Sequence, residues 1–185
     1  LVAHHSKDAS MLDVFCCSGG FTVHAAAAGA KLVHGIDLSS HAINEVGVNL
    51  DANQARLRAD LTVESTVGDA FETMEELVRT GRRFDIVVID PPSFAPRESA
   101  VPMALRAYQR LTALGLQLVN AGGLLFQASC SSRVDAESFY ATIQRQADLS
   151  GVTLTEIERT GHALDHRIGF VHGSYLKALL ARVDR

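Results

Sequence analysis

A strand of the type found in protein cores ends abruptly within the stretch Phe84-Asp85-Ile86-Val87-Val88-Ile89-Asp90-Pro91-Pro92-Ser93-Phe94. The apolar, β-branched residues 86–89 are typical of a strand that is covered on both faces of a parallel sheet. Pro91 and Pro92 have no N–H group, so the chain must leave the sheet there. Ligands of open α/β sheets bind beyond the carboxyl ends of strands, so residues 90–94 are predicted to border a site. A proline-rich turn after a core strand is the structural alternative.

Short apolar runs alternate with longer helical patterns along the rest of the chain, which is typical of βαβ units. We expect Gly122 and Gly123 to turn the chain before the fifth strand. The last two strands are predicted to be antiparallel, because no long helix separates them. The predicted fold class is therefore α/β, a Rossmann-like, doubly wound sheet of seven mostly parallel strands with an antiparallel C-terminal strand. Strands are predicted at 11–15, 32–36, 62–66, 84–89, 124–128, 153–158 and 175–183, and helices at about 23–28, 40–52, 71–79, 103–120 and 135–149.

Length and composition favour one domain. The chain has 185 residues, of which 47% are hydrophobic, enough for a single well-buried core. It has no long apolar run and no signal-peptide pattern, which favours a cytoplasmic location. A net charge of −4 argues against nucleic-acid binding by charge alone. Its three cysteines lack the Cys-x-x-Cys spacing of a zinc site, and no metal is predicted.

Acidic and glycine-containing motifs follow the first three predicted strands. The loop 13–21 opens a helix, and its glycines allow a ligand to approach the backbone. It lacks both Gly-x-Gly-x-x-Gly and a Walker lysine, which makes a nicotinamide oxidoreductase poorly supported. Asp37 can accept hydrogen bonds from two ribose hydroxyls, while Asp69 and Phe71 could border an adenine. Each acid alone is more often a helix cap, but together at successive strand ends they favour a site.

Taken together, these motifs resemble a class I S-adenosylmethionine-dependent methyltransferase. They are Asp13-x-Phe15, Ser18-Gly19-Gly20-Phe21, Asp37-Leu38-Ser39, Gly68-Asp69-Ala70-Phe71, Asp90-Pro91-Pro92-Ser93-Phe94, Ala121-Gly122-Gly123, Ser129-Cys130-Ser131, Ala163-Leu164-Asp165-His166 and Tyr175-Leu176-Lys177-Ala178-Leu179. Within that class, nearly the whole chain is similar to the bacterial 23S rRNA (cytosine-5) large-subunit methyltransferase family.

The resemblance implies S-adenosyl-L-methionine as cofactor and assigns roles by position. The cofactor-binding residues would be Asp13, Phe15, Ser18, Gly19, Gly20 and Phe21 around the methionine moiety, Asp37 at the ribose with Leu38 nearby, Asp69, Ala70 and Phe71 at the adenine, and Asp90 and Pro91 near the sulfonium. Pro92, Ser93 and Phe94 would contact the substrate base.

The resemblance also implies a domain organisation. Family members carry a PUA-type RNA-binding domain and a small β-domain before the catalytic domain, and neither is found in residues 1–185. We therefore expect one catalytic domain over 1–185, taken from a longer chain. Its expected partner is RNA, specifically ribosomal RNA, held through an N-terminal module. No membrane partner is expected.

Cys130 has a chemical rationale in such an enzyme. C5 of a pyrimidine is a weak nucleophile, and a thiolate that adds to C6 converts C5 into an enamine-like carbon able to attack a methyl sulfonium. Asp90, on the adjacent strand end, could hydrogen-bond N3 and the exocyclic amine of cytosine while charge develops. We therefore predict Cys130 and Asp90 as catalytic residues. The base that takes the C5 proton is not identified by the sequence.

Other interpretations remain open at this point. Cys130 could be a buried small hydrophobe, as most free cysteines are. An exocyclic-amine methyltransferase would use the Asp-Pro-Pro turn without needing this cysteine, and a scaffold domain could keep the fold without catalysis. Packing is the expected role of Cys16 and Cys17, and capping or surface positions are expected for His162 and His166.

Overall fold

The chain forms one β-sheet with helices packed on both faces. The computed structural model describes residues 1–162, 169, 173 and 175–185. Its strands are β1 (Ser10–Val14), β2 (Leu32–Asp37), β3 (Thr62–Val67), β4 (Phe84–Ile89), β5 (Val119–Ser129), β6 (Thr153–Thr160) and β7 (Lys177–Asp184). The helices are α1 (Gly20–Ala27), α2 (Ser40–Ala52), α3 (Ala70–Arg79), α4 (Val101–Leu118) and α5 (Ala136–Leu149).

The seven strands lie in the order β3-β2-β1-β4-β5-β7-β6. The first five pair in parallel, and β7 is antiparallel to both β5 and β6. This topology confirms the predicted fold class. The chain reverses its winding direction between β1 and β4, which places a crevice beyond the carboxyl ends of these two strands.

Strand β4 lies at the centre of the sheet and is covered on both faces. Val87 and Ile89 share an apolar layer with residues of α3 and α4. Ile86 and Val88 share the opposite layer with residues of α1 and α2. All four side chains are at most 2% exposed. The continuous apolar run is thus explained by burial on both faces, as expected for a central parallel strand.

The boundary between α4 and β5 differs from the sequence prediction. The helix ends at Leu118 instead of Asn120, and β5 begins at Val119, which pairs with Phe84. The two glycines lie inside β5 and do not form the expected turn. They lie where the register of the β4–β5 pair shifts, between Phe84 and Ile86. Gly122 has φ +77°, and a Cβ on Gly123 would lie 2.7 Å from the Asp85 carbonyl oxygen, so both positions favour glycine.

Two further features bear on the predictions. The motif at 163–166, which includes His166, lies outside the described residues. None of the helices in the described part of the chain combines the length and apolar character needed to cross a membrane.

Candidate active site

A cavity of about 560 Å³ opens beyond the carboxyl ends of the parallel strands. Loops after β1, β2, β3, β4 and β5 all contribute to its wall. The lining residues are Phe15, Cys17, Asp37, Leu38, Asp69, Ala70, Asp90, Pro91, Pro92, Cys130 and Leu176. Phe15 and Cys130, which are 115 positions apart in the sequence, thus meet at one edge because parallel strands end together there.

The loop between β1 and α1 has an unusual backbone. Phe15 and Cys17 have φ values of +65° and +48°, a left-handed conformation that costs non-glycine residues free energy and is concentrated at functional sites. Gly19, with φ +83°, caps α1. A Cβ at Gly19 would lie 3.1 Å from both γ-methyl groups of Val46 on α2. Glycine at this position therefore allows both the turn and the close packing of the loop on α2.

Asp37 ties this loop to the end of β2. One carboxylate oxygen accepts a hydrogen bond from the Cys17 backbone N–H at 2.9 Å, and the other accepts one from the Ser39 N–H at 2.9 Å. The carboxylate is thereby held in one orientation at the cavity wall. Since a carboxylate can accept about four hydrogen bonds, it retains capacity for ligand hydroxyls.

Asp69 caps α3 and also lines the cavity. Its Oδ1 accepts hydrogen bonds from the N–H groups of Phe71 at 2.9 Å and Glu72 at 3.1 Å. Its Oδ2 has no protein partner among the described residues and remains available to a ligand. The Phe71 ring packs against the core, and its centroid lies 4.6 Å from the Arg110 guanidinium. Phe71 is not among the residues that line the cavity.

Asp13 is buried at the end of β1, with 1% of its surface exposed. Its Oδ2 accepts hydrogen bonds from Thr22, from the backbone N–H at 3.0 Å and from the hydroxyl at 2.7 Å. Its Oδ1 has no partner within the described structure. The pKa of Asp13 is raised to about 6, mainly by burial and to a smaller extent by the charges of Asp90 and Asp37, while the hydrogen bonds from Thr22 oppose this rise. A buried carboxylate oxygen without a partner indicates that a donor is missing.

Asp90 and Cys130 face the cavity from adjacent strand ends. The Cys130 thiol donates to the Pro91 carbonyl at an Sγ to O distance of 3.7 Å. The Asp90 carboxyl has no hydrogen-bond partner among the described residues, and burial raises its pKa. Burial, and secondly the charge of Asp90, also raise the pKa of Cys130, while Lys177 opposes this rise. The protein without ligand therefore holds a protonated thiol beside an unpaired carboxyl group.

A network of hydroxyl groups braces the two loops that carry these residues. Ser93 Oγ lies 3.1 Å from Ser131 Oγ, and the buried Tyr108 hydroxyl lies 3.1 Å from Ser131 Oγ and 2.8 Å from Ser129 Oγ. Phe94 packs on the Tyr108 ring, with centroids 5.3 Å apart. Ser93 and Phe94 thus contact the residues that support the cavity wall and are not among the residues that line the cavity. Their contact with a substrate base stays a prediction.

The remaining predicted residues lie around the cavity. Gly20 and Phe21 border a separate apolar depression with Phe126, while Ser18 is held through its carbonyl by the Asn49 side chain at 2.9 Å. The predicted residues that line the cavity are Phe15, Asp37, Leu38, Asp69, Ala70, Asp90, Pro91, Pro92 and Cys130; those that do not are Asp13, Ser18, Gly19, Gly20, Phe21, Phe71, Ser93 and Phe94.

Sequence reasoning missed two lining residues and two supporting ones. Cys17 was expected to pack, but it is exposed at the cavity wall; its position between Phe15 and Ser18 in the loop was the available signal. Leu176 lines the cavity too, and the His162 ring nitrogen accepts hydrogen bonds from the N–H groups of Tyr175 and Leu176 at 3.0 Å each. Tyr108 lies in none of the motifs quoted above, and Lys177 lies in the motif at 175–179 but was given no role there.

Cys16 and His162 lie where they were expected. The Cys16 side chain is buried against α1 and β2, and burial raises its pKa to about 12. His162 accepts hydrogen bonds from backbone N–H groups, which is a capping role.

Comparison with known proteins identifies relatives. The family model Cons_hypoth95, described as Conserved hypothetical protein 95, matches residues 1–121. A ribosomal RNA large subunit methyltransferase of Deinococcus radiodurans is 35% identical, over 97% of this chain and 43% of its own length. Ribosomal RNA large subunit methyltransferase I of Shewanella frigidimarina is 34% identical, over 99% of this chain and 46% of its own length. The chain thus spans less than half the length of these relatives.

Solved structures share the fold. One described as SMU.776, a putative methyltransferase complexed with SAH, matches with a TM-score of 0.83 and 22% identity, over 98% of this chain and 47% of its own. The resemblance to ribosomal RNA large-subunit methyltransferases inferred from the motifs is confirmed by the sequence relatives. The chain has the Rossmann-like fold of class I methyltransferases and belongs to the Cons_hypoth95 family.

Proposed function

We propose that this chain is the catalytic domain of an S-adenosylmethionine-dependent RNA methyltransferase that methylates C5 of a cytosine in ribosomal RNA through a Cys130 adduct. The observation that carries the proposal is the meeting of a thiol and an unpaired carboxyl group at one cavity: Cys130 and Asp90 face it together, opposite Asp37 and Asp69. The names of the sequence relatives support ribosomal RNA as the substrate class. We further propose that residues 1–185 form a single domain.

The cavity residues fit this cofactor. The volume of about 560 Å³ lies within the range of small-molecule sites. Asp37 would accept hydrogen bonds from the ribose hydroxyls, and Oδ2 of Asp69 would accept one from the adenine amine. Asp13 does not line the cavity, but it is buried at the end of β1 beside the loop that does, and its unpaired Oδ1 would accept a hydrogen bond from the cationic amino group of the methionine moiety. S-adenosylmethionine would supply an electrophilic methyl group on a sulfonium.

Cys130 would be the nucleophile. Its thiolate adds to C6 of the cytosine and forms an S–C6 bond, and the electron pair of the C5–C6 double bond makes C5 nucleophilic. C5 would then take the methyl group, as the bond between the methyl carbon and the sulfonium breaks and S-adenosylhomocysteine leaves. Loss of the C5 proton to a base, followed by cleavage of the S–C6 bond, restores the ring and releases Cys130. Because the pKa of the Cys130 thiol is raised, the thiolate must be generated when the cytosine is bound.

Asp90 would assist the addition. A neutral carboxyl group can donate to N3 of cytosine while its carbonyl oxygen accepts from the exocyclic amine. Burial raises the pKa of Asp90, which makes this neutral form accessible. Transfer of the Cys130 proton to the Asp90 carboxylate would produce the nucleophile and the N3 donor in one step. The electron density that builds up on the ring would then be stabilised at N3.

The decisive experiment is methylation of unmodified 23S ribosomal RNA by the full-length protein with labelled S-adenosylmethionine, followed by mapping of the product base. We expect 5-methylcytosine. Cys130→Ala should lower turnover by about 10³-fold or more while S-adenosylhomocysteine still binds. Cys16→Ala, which removes a buried thiol away from the cavity, serves as the matched control and should keep its activity.

A second measurement tests the covalent step directly. RNA that contains 5-fluorocytidine lacks the C5 proton, so the adduct with Cys130 cannot resolve after methyl transfer. We expect a complex that survives denaturation with the wild-type protein and none with Cys130→Ala. If Cys130→Ala still methylates and the product carries its methyl group on the exocyclic amine, the chain is an amine methyltransferase. Cofactor binding without transfer to any RNA would indicate a scaffold domain.

A further inference from the structure

We propose that Lys177 is a positioning residue for Cys130: its ammonium group holds the loop after β5 and supplies the positive charge that favours the thiolate. The inference rests on the proposed function in one respect, because a thiolate at this position matters only if Cys130 is the nucleophile.

Strand pairing places Lys177 beside the candidate nucleophile. Lys177 is the first residue of β7 and lies opposite Ser129 in the antiparallel β5–β7 pair. Ser129 directly precedes Cys130. The backbone of Lys177 is therefore anchored next to the point where β5 ends and the cysteine loop begins.

All three protons of the Lys177 ammonium group are used. Nζ donates to the carbonyl oxygens of Ser131 at 2.5 Å, Val134 at 2.5 Å and Tyr175 at 3.1 Å. Two of these acceptors lie within four residues of Cys130, and the third precedes Leu176 at the cavity wall. Three carbonyl acceptors match the donor inventory of a protonated lysine. These acceptors stabilise the charged form of Lys177, whereas burial lowers its pKa.

The charge of Lys177 is buried. The residue is 6% exposed and forms no salt bridge with a described carboxylate. Burial of an ammonium group costs several kcal/mol unless other groups compensate. Neutral donors could bridge carbonyl groups without this cost. The presence of a full charge therefore calls for an anion that forms nearby, and the Cys130 thiolate is such an anion.

The charged and titratable groups around Cys130 act in opposite directions. Asp90, at the end of β4, raises the pKa of the thiol, and Lys177 lowers it. Tyr108 on α4 is neutral and bonded to Ser129 and Ser131. Asp135, which caps α5, interacts electrostatically with Lys177. Among the described groups, Lys177 is thus the cation that opposes the rise in the pKa of the Cys130 thiol caused by burial and by Asp90.

The test measures the thiol itself and needs neither RNA nor cofactor. The rate at which iodoacetamide alkylates Cys130 is followed from pH 6 to 10 by site-resolved mass spectrometry in the full-length protein. In Lys177→Met and Lys177→Gln we expect the midpoint to rise by about one pH unit, and the rate below it to fall about tenfold. Lys177→Arg keeps the charge and should stay close to wild type. Lys31→Met, which removes an exposed lysine paired with Asp85, is the control and should change nothing.

Each outcome decides the matter. A folded Lys177→Gln or Lys177→Met with a wild-type alkylation profile would refute the electrostatic role. Loss of the fold in both neutral variants would make Lys177 purely structural and would equally overturn the proposal. If the midpoint shifts as expected but the wild-type protein methylates no cytosine, the coupling of Lys177 to the thiol stands and the proposed function fails.

Discussion

At Asp13, stability conflicts with the proposed binding of the cofactor. Its pKa in the folded protein is raised to about 6 from an ordinary value of 3.8, mainly by burial. The folded state therefore disfavours the ionised form. The contribution of Asp13 to stability is fully present below pH 3.8 and is lost as the pH rises through about 6. The loss amounts to about 3 kcal/mol, since each pKa unit corresponds to about 1.4 kcal/mol.

Asp13→Asn tests this conflict. The amide oxygen can still accept both hydrogen bonds from Thr22, but the side chain cannot ionise. Between pH 4 and pH 7.5, the free energy of unfolding of the wild type, measured by urea titration, should fall by about 3 kcal/mol more than that of Asp13→Asn. S-adenosylhomocysteine should bind at least about tenfold more weakly, because a charge-assisted hydrogen bond is gone. Asp51→Asn, on the exposed side of α2, controls for the loss of one carboxylate. Equal pH dependence in Asp13→Asn and wild type would contradict the argument.

Single residues show where sequence reasoning succeeds and where it stops. Asp37, Asp69 and Asp90 could be predicted because each lies at or just beyond the carboxyl end of a strand, and these strand ends meet. The left-handed backbone at Phe15 and Cys17 could not, since neither residue type favours positive φ. The surrounding loop contacts impose that conformation, and they depend on tertiary structure.

At the scale of the helices, two N-caps of the same type have different surroundings. Asp69 caps α3 and lines the cavity, whereas Asp135 caps α5 through the Ser138 N–H at 2.7 Å and lies outside it. Replacement of either by alanine should lower the free energy of unfolding by about 1 kcal/mol. We expect only Asp69→Ala to weaken S-adenosylhomocysteine binding as well, as measured by calorimetry. Equal binding by the two variants would indicate that Asp69 is a cap and nothing more.

Two glycines in helices are expected to have opposite effects on stability when they are replaced by alanine. A Cβ at Gly115 on α4 would lie 2.8 Å from Cδ1 of Ile89 and 3.0 Å from Cδ1 of Leu125, whereas nothing lies within 4 Å of one at Gly47 on α2. Gly115→Ala should therefore destabilise the protein by about 1–3 kcal/mol through overpacking of α4 on the sheet. Gly47→Ala should stabilise it by about 0.5–1 kcal/mol through helix propensity. Thermal unfolding of both variants checks the signs, and a stabilising Gly115→Ala would contradict the packing argument.

The end of α4 illustrates the limit of local patterns. The helical period of the sequence continues to Asn120, and a glycine pair normally marks a turn. Val119 nevertheless pairs with Phe84 in the sheet, and Gly123 is required by the approach of the Asp85 carbonyl. Both contacts join segments about 35 residues apart, so no local signal announces them.

For the whole molecule, alternation of strands and helices was sufficient to predict the sheet and the edge that carries the site. The supporting network was not predictable. Lys177 reaches Ser131 across 46 positions, and Tyr108 reaches it across 23. The Lys177 contact follows from the position of β7 between β5 and β6, which the sequence pattern indicates only as an antiparallel end. The Tyr108 contact follows from the packing of α4 on β5. The reactive groups could thus be predicted one strand end at a time, while the groups that hold them could not.

The charge of the molecule leads to a last prediction, on RNA binding. Residues 1–185 carry a net charge of −4, and phosphate binding requires clustered basic side chains. We expect this chain alone to bind ribosomal RNA no tighter than about 10 µM at about 0.15 M salt, in the range of non-specific binding. Fluorescence anisotropy with a labelled fragment measures this affinity, and calorimetry with S-adenosylhomocysteine on the same sample controls for folding. Submicromolar binding at that salt concentration would show that the domain itself recognises RNA through shape or stacking, with little need for phosphate neutralisation.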